Sequence, residues 1–124
     1  MRNERVVIDT NILLYILAGD EKAHGLVKGR DVVLSAMVRM EAMVYHGAVP
    51  GHLDMVQRFI DRCALEEIHR GIQDRAVAIR TDHKLKLPDA IIAATAVHLG
   101  LPLISADTIF SRISSELEFI FYRK

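Results

Sequence analysis

The 124-residue chain reads as a single α/β domain, a mostly parallel central sheet of about five short strands with helices on both faces. Two observations predict this. Short apolar runs rich in β-branched residues, Val6–Ile8 and Val32–Leu34 among them, stop abruptly at a polar residue, the pattern of strands buried on both faces. Between these runs lie segments whose apolar residues repeat at helical spacing, and strand–helix alternation favours a parallel sheet covered by its crossovers.

In chain order, the strand Val6–Ile8 runs into Asp9, Thr10 and Asn11, and Thr10 or Asn11 is expected to cap a helix over Ile12–Leu17 that Gly19 ends. Asp20 opens a second short helix, closed by Gly29. Val32–Leu34 is the next strand, with Ser35 placed to cap the helix from Ala36 to about His46. In that helix Met37, Met40, Val44 and Ala48 form an apolar stripe read as core-facing, with Glu41 inside it and Arg39 and His46 opposite. Pro50 is expected to begin an amphipathic helix with Leu53, Val56, Phe59, Ile60 and Cys63 inward.

Leu65–Ile68 is a weaker strand, followed by a helix from about Gly71 with Ile72, Ala76 and Ile79 on one face. Residues 81–86 then form a polar, basic passage that includes His83, Lys84 and Lys86. Pro88 suits the first turn of a helix and Asp89 the unpaired N–H groups there. From Ala90 to Val97 no residue is charged, so this helix is expected in the interior until Gly100 stops it. Leu101–Ile104 is a strand that ends in Ser105, Ala106 and Asp107, and Leu117–Tyr122 supplies the last one.

Composition narrows the function. Lys plus Arg and Asp plus Glu number 16 each, so the chain has no net charge. Any nucleic-acid partner must therefore be held by local basic patches or bound cations. The lone Cys63 cannot form an internal disulfide and reads as a small core residue in a reducing compartment. No secretory signal opens the chain, and Ile12–Leu17 is far short of the roughly 18 residues of a membrane helix. A cytoplasmic protein without membrane contact, its one domain spanning residues 1–124, is the expectation.

Four carboxylates share one kind of address: Asp9 and Asp107 just past strands, Asp89 at a helix start, and Glu41 on the helix after the second strand. Strand ends of a right-handed parallel sheet lie on one rim, where the following helices begin. Each acid also has a local reading as a cap, a turn or a first-turn residue. Four acids gathered together raise one another's pKa values, and a hard divalent cation resolves that conflict. Oxygen ligands suit Mg²⁺ or Mn²⁺ rather than Zn²⁺, and the six histidines lack the spacing of a zinc helix. The chemistry that follows is phosphodiester hydrolysis.

The residues Val7–Leu13, Ser35–Glu41, Leu87–Ala90 and Leu103–Asp107, in this order and over essentially the whole chain, resemble the PIN domain. Within that family the resemblance is to the short VapC toxins of VapBC toxin–antitoxin pairs. It implies a metal-dependent ribonuclease in which Asp9, Glu41, Asp89 and Asp107 surround one or two Mg²⁺ or Mn²⁺ ions. Thr10, Asn11 and Ser105 match the family's supporting polar residues, and their roles as helix caps or turn residues stay open. The resemblance further implies a homodimer, an RNA substrate and a VapB-like antitoxin that inserts a segment into the site. Lys84 and Lys86 are candidates for contacting RNA phosphates, against a reading as cations at a helix end.

One position departs from the family pattern. Many relatives carry a further acid just before the Phe near the fourth carboxylate, where this chain has Ile109 before Phe110. A single tightly bound ion, with a second arriving with RNA, is the expectation. The same departure motivates an alternative, a catalytically weak or inactive PIN module that binds RNA or a protein. A phosphate-accepting receiver domain fits less well, because Asp9 has no adjacent acid and residues 66–69 offer no Asp after the third strand.

Overall fold

A computed structural model describes residues 3–45 and 50–123. The elements in order are β1 (Arg5–Ile8), α1 (Thr10–Leu17), α2 (Glu21–Val27), β2 (Asp31–Ser35), α3 (Ala36–Met43), α4 (His52–Asp61) and β3 (Ala64–Glu66). They continue with α5 (Arg70–His83), α6 (Leu87–Leu99), β4 (Leu103–Ser105), a 3₁₀ helix (Thr108–Ile113) and β5 (Phe119–Phe121). Five strands form one sheet in the order β3-β2-β1-β4-β5. Every pairing is parallel.

Val6, Val7 and Ile8 are all fully buried. Successive strand residues point to opposite faces, so both faces of β1 are covered and the apolar run needs no alternation. From β1 the chain builds outward to β2 and β3, then returns to place β4 and β5 on the other side. The order therefore reverses between β1 and β4, which is where ligands bind in open α/β sheets. Asp9 N–H donates to the carbonyl of Ile104 at 3.2 Å, which keeps the two strand ends side by side just where the reversal occurs.

Helix α6 is the interior helix its sequence predicts. Ala90, Ala93, Ala94 and Ala96 are fully buried, and Thr95 satisfies its hydroxyl on the Ile91 carbonyl at 2.8 Å. Small side chains on most of its surface let it lie against the sheet and against α5, whose Ile72, Ala76 and Ile79 form the matching buried face. Gly100 ends α6 in the left-handed conformation at φ +66°, which glycine adopts without steric cost. Cys63 is half-buried, its thiol bonded to the Phe59 carbonyl at 3.2 Å and pushed by burial up to about 11. Tyr15 packs against Tyr122 with ring centroids 5.5 Å apart.

Several sequence expectations need correction. The cap of α1 is Asp9 itself, whose side chain accepts from Ile12 N–H, rather than Thr10 or Asn11, because α1 begins two residues before its apolar run. Helix α3 ends at Met43, and its core face is Val38 and Ala42. Met40 and Val44, assigned to the core stripe, are 46% and 66% exposed. Apolar residues lie on two faces of this helix, so spacing alone could not choose between them, and Arg39 is half-buried rather than solvent-facing. His46 and Ala48 lie outside the described residues. In α4, Val56 and Ile60 face inward as expected but Leu53, in the first turn, is 55% exposed. That helix opens at Gly51 rather than Pro50. The polar passage over residues 81–83 is the last turn of α5.

These assignments are open to measurement. Replacing Ala93 with Leu inserts a large side chain where none fits and should cost about 1–3 kcal/mol of unfolding free energy. Leu53→Ala, at an exposed site, should change stability by less than about 0.5 kcal/mol. Urea denaturation of the two variants would contradict this packing if Leu53→Ala proved the more damaging.

Candidate active site

Three of the acids are placed by local backbone rules. Asp9 follows β1, caps α1 through Oδ1 to Ile12 N–H at 3.1 Å, and is only 5% exposed. Asp107 follows β4 and caps the 3₁₀ helix through Oδ1 to Ile109 N–H at 2.9 Å. Asp89 occupies the first turn of α6, beside Pro88. The local capping readings hold for Asp9 and Asp107, each through Oδ1, and they do not conflict with a place for either residue in a common cleft. Glu41 comes from α3, and its Oε1 accepts a 2.6 Å bond from the hydroxyl of Thr10.

All four acids, with Thr10 and Asn11, line one cleft of about 270 Å³ at the reversal point of the sheet. Ser105 lies beneath them, fully buried. Its hydroxyl donates to Asp9 Oδ2 and accepts from Asp107 N–H at 2.9 Å, so one side chain ties two of the acids together. The cleft also contains Leu14, Tyr45 and Ile92, which sequence reasoning did not single out. Leu14 and Ile92 were read as ordinary apolar helix positions. Nothing in the local sequence distinguishes them, because their place depends on how α1 and α6 meet.

The electrostatics of the cleft follow from burial first and from neighbouring acids second. Burial pushes the Asp9 carboxyl up to about 6; hydrogen bonds from Ser105 and Ile12 oppose the rise, and the charges of Asp107 and Asp89 add to it. Asp89 is raised as well, first by burial and then by Asp107 and Glu41, with Lys86 opposing. Each of the four acids therefore acts on, or feels, another.

Lys86 is the N-cap of α6 and exposed. Lys84 is exposed too, and neither lysine lines the cleft. His83 is used structurally, paired with Glu116 at 2.7 Å.

The donor set suits a hard cation. The described residues lining the cleft offer carboxylate, hydroxyl and amide oxygens and no Lys or Arg to neutralise them. Among the described residues, no three His, Cys, Asp or Glu side chains close into a ready-made metal cage. Oxygen donors of this kind are those that Mg²⁺ takes, an ion that keeps several waters and engages only one or two carboxylates. Ile109 contributes no ligand, and its side chain packs partly against the core.

A parallel five-stranded α/β sheet carrying a carboxylate-lined cleft at its reversal point is the class of domain defined here. The PIN domain model matches residues 6–116, and the chain belongs to that family. Among solved structures, a chain of a toxin–antitoxin complex from Klebsiella pneumoniae is 34% identical, covering 93% of this chain and 95% of its own, with a TM-score of 0.79. VapBC2 from Rickettsia felis, bound to a DNA fragment from its promoter, shares the fold at 16% identity and a TM-score of 0.81, over 94% and 98% of the two chains. VapBC-1 from nontypeable Haemophilus influenzae does so at 19% identity and 0.77, over 97% and 99%. No curated protein matches closely enough to add to these. No helix among the described residues is long and apolar enough to cross a membrane.

The raised Asp9 carboxyl has a consequence for stability. Its ordinary value is 3.8 and its folded value about 6, so the folded state holds the proton more tightly than the unfolded chain. The resulting stabilisation is fully present below about pH 4 and is lost as pH rises through 6. In metal-free buffer at pH 7, Asp9→Asn, which keeps a capping oxygen, should be more stable than wild type by on the order of 1–3 kcal/mol. The difference should shrink as pH falls toward 4. Thermal melts across this range check it; a variant less stable at neutral pH would contradict the account.

Proposed function

We propose that the protein is a metal-dependent endoribonuclease, the VapC-type toxin of a toxin–antitoxin pair. The observation that carries this reading is the convergence of Asp9, Glu41, Asp89 and Asp107 on one cleft in a PIN domain. On this reading the four carboxylates hold one or two Mg²⁺ or Mn²⁺ ions, with one bound tightly, since Ile109 adds no ligand. A bound ion would supply Lewis acidity toward a phosphodiester and lower the pKa of a nearby water. Water adds at phosphorus, the bond to the leaving ribose oxygen breaks, and that oxygen takes up a proton.

The chain's own residues set the geometry for this. Ser105 holds Asp9 and Asp107 in fixed relation, Thr10 fixes Glu41, and exposed Asn11 presents its amide at the mouth of the cleft. Lys86, at the N-cap of the helix that carries Asp89, and Lys84 two residues before it contact RNA phosphates outside the cleft on this reading. The likeness to toxin–antitoxin complexes supports a VapB-like antitoxin as partner, and the family resemblance supports a homodimer. A cytoplasmic site of action follows from an RNA substrate, and residues 1–124 act as one domain.

Incubation of the purified protein with total cellular RNA tests this directly. Cleavage should require Mg²⁺ or Mn²⁺, stop in EDTA, and fall to background in Asp9→Asn and Asp89→Asn. Thr10→Val, which removes only the bond to Glu41, should lose about 10–100-fold, as outer-shell changes around metals do. Cleavage surviving both EDTA and Asp89→Asn would remove the metal-site account. Lys86→Ala should weaken RNA binding and reduce the slope of log affinity against log salt by about 0.7, the value for one contact to a single strand. An unchanged slope would take Lys86 out of the interface.

Ile109 favours a second reading, a catalytically weak or inactive PIN module that binds RNA or a protein. Titration calorimetry with Mn²⁺ separates the two. Saturable binding lost in Asp89→Asn belongs to an active centre, and no binding at millimolar metal belongs to the module.

A further inference from the structure

The acid cleft has one wall that the proposed chemistry does not use. Tyr45, just past the end of α3, lines the cleft alongside the carboxylates and is 45% exposed. Its ring packs against His52, with centroids 5.7 Å apart and planes tilted by 44°. His52 is itself fixed, its Nε2 donating to the carbonyl of Ala42 at 2.9 Å. That bond ties the start of α4 to the last turn of α3, so the ring behind Tyr45 is anchored to the helix that carries Glu41. Among the described residues the Tyr45 hydroxyl has no hydrogen-bond partner, and neither the core nor a polar network accounts for the position of its ring.

A polyanion entering this cleft meets a difficulty. The described residues that line it include no Lys or Arg, and the chain has no net charge. Phosphate contacts supply most of the affinity of proteins for nucleic acid, and here the cleft itself offers none beyond what a bound cation provides. A contact that ignores charge would add affinity there without a basic residue in the lining. A buttressed, half-exposed aromatic ring supplies one, because every base has a face that stacks on it. Such stacking requires the base to be out of a duplex.

We propose that Tyr45 stacks an unpaired nucleobase beside the phosphate bound at the acid cleft. This rests on the nuclease reading for the identity of the ligand. The base type stays unspecified, since a single aromatic face does not read base edges. Tyr45 is a specificity-determining residue on this account, and His52 positions it.

The test is a fluorescence titration in Ca²⁺ of a single-stranded RNA decamer carrying one central 2-aminopurine, run beside the same decamer paired to its complement. Stacking quenches 2-aminopurine. Wild type should quench the single strand and bind the duplex more weakly. Tyr45→Leu should lose the quenching and weaken binding roughly 5- to 150-fold, the range expected for one base stacked on one aromatic ring, while Tyr45→Phe, which keeps the ring, should recover both. Far-ultraviolet circular dichroism and a thermal melt confirm that Tyr45→Leu is folded. In cleavage assays the Leu variant should raise KM more than it lowers kcat.

Quenching that persists in Tyr45→Leu, absence of quenching in wild type, or equal binding of strand and duplex would each overturn the assignment. In that event Tyr45 belongs with exposed Met40 and Val44 to a protein-facing surface. The titration does not depend on cleavage, so it decides on stacking even for a protein that cuts no RNA. Loss of cleavage in EDTA and in Asp89→Asn decides separately on the nuclease reading.

Discussion

The structure turns on a carboxylate buried at the end of a strand. Asp9 ends β1 where water has little access, and an anion there must find hydrogen bonds or lose its charge. It finds Ile12 N–H at the start of α1 and the Ser105 hydroxyl at the end of β4. The second of these bonds exists only because β1 and β4 are neighbours, at the point where the strand order reverses. Sheet topology and site chemistry therefore meet in one pair of side chains 96 positions apart in sequence. Burial still wins over these bonds, as the raised Asp9 carboxyl shows, so the site is a destabilising feature that the rest of the fold must carry.

What carries it is the helix packed beside it. Helix α6 has almost no polar side chain along its length, and its alanines sit fully buried against the sheet and α5. A helix of larger residues would stand farther from the sheet, and its first turn would move with it. Asp89 lies in that first turn, so the close packing of Ala90, Ala93 and Ala94 also sets how near Asp89 comes to Asp107 and Glu41. The field those two acids exert on Asp89 is the electrostatic record of that approach.

Much of this was legible in the sequence where structure is decided locally. A β-branched run that stops at an acid, a Pro–Asp pair opening an uncharged helix, and a second strand ending in Ser105-Ala106-Asp107 each announce both an element and the rim it faces. Glu41 was placed in the site by an argument that named the wrong face. Its stripe of Met40 and Val44 is exposed, and Val38 and Ala42 make the core contact. The acid reaches the cleft beside Tyr45, four residues on, and Thr10 holds its carboxylate, which no periodicity could reveal. Leu53 failed for a related reason, since a first-turn residue satisfies the amphipathic pattern without having anything to pack against. Tyr45 shows the limit most clearly. In the sequence it falls inside the helix expected to run to about His46, and only the meeting of distant elements makes it a neighbour of the acids.

The division of labour within the cleft follows from its charge. The described residues that line the cleft include four acids and no Lys or Arg, a surface that repels phosphate, so on the proposed reading occupancy by Mg²⁺ or Mn²⁺ precedes productive binding of RNA. Attraction would then be confined to the metal and to the exposed lysine at the N-cap of α6, with the aromatic wall acting on bases irrespective of charge. On that reading a neutral chain would not hold nucleic acid wherever it meets it and would retain strands that present both a phosphate and a free base at one place. Selectivity on that reading would depend on where the charges are missing as much as on where the ligands are.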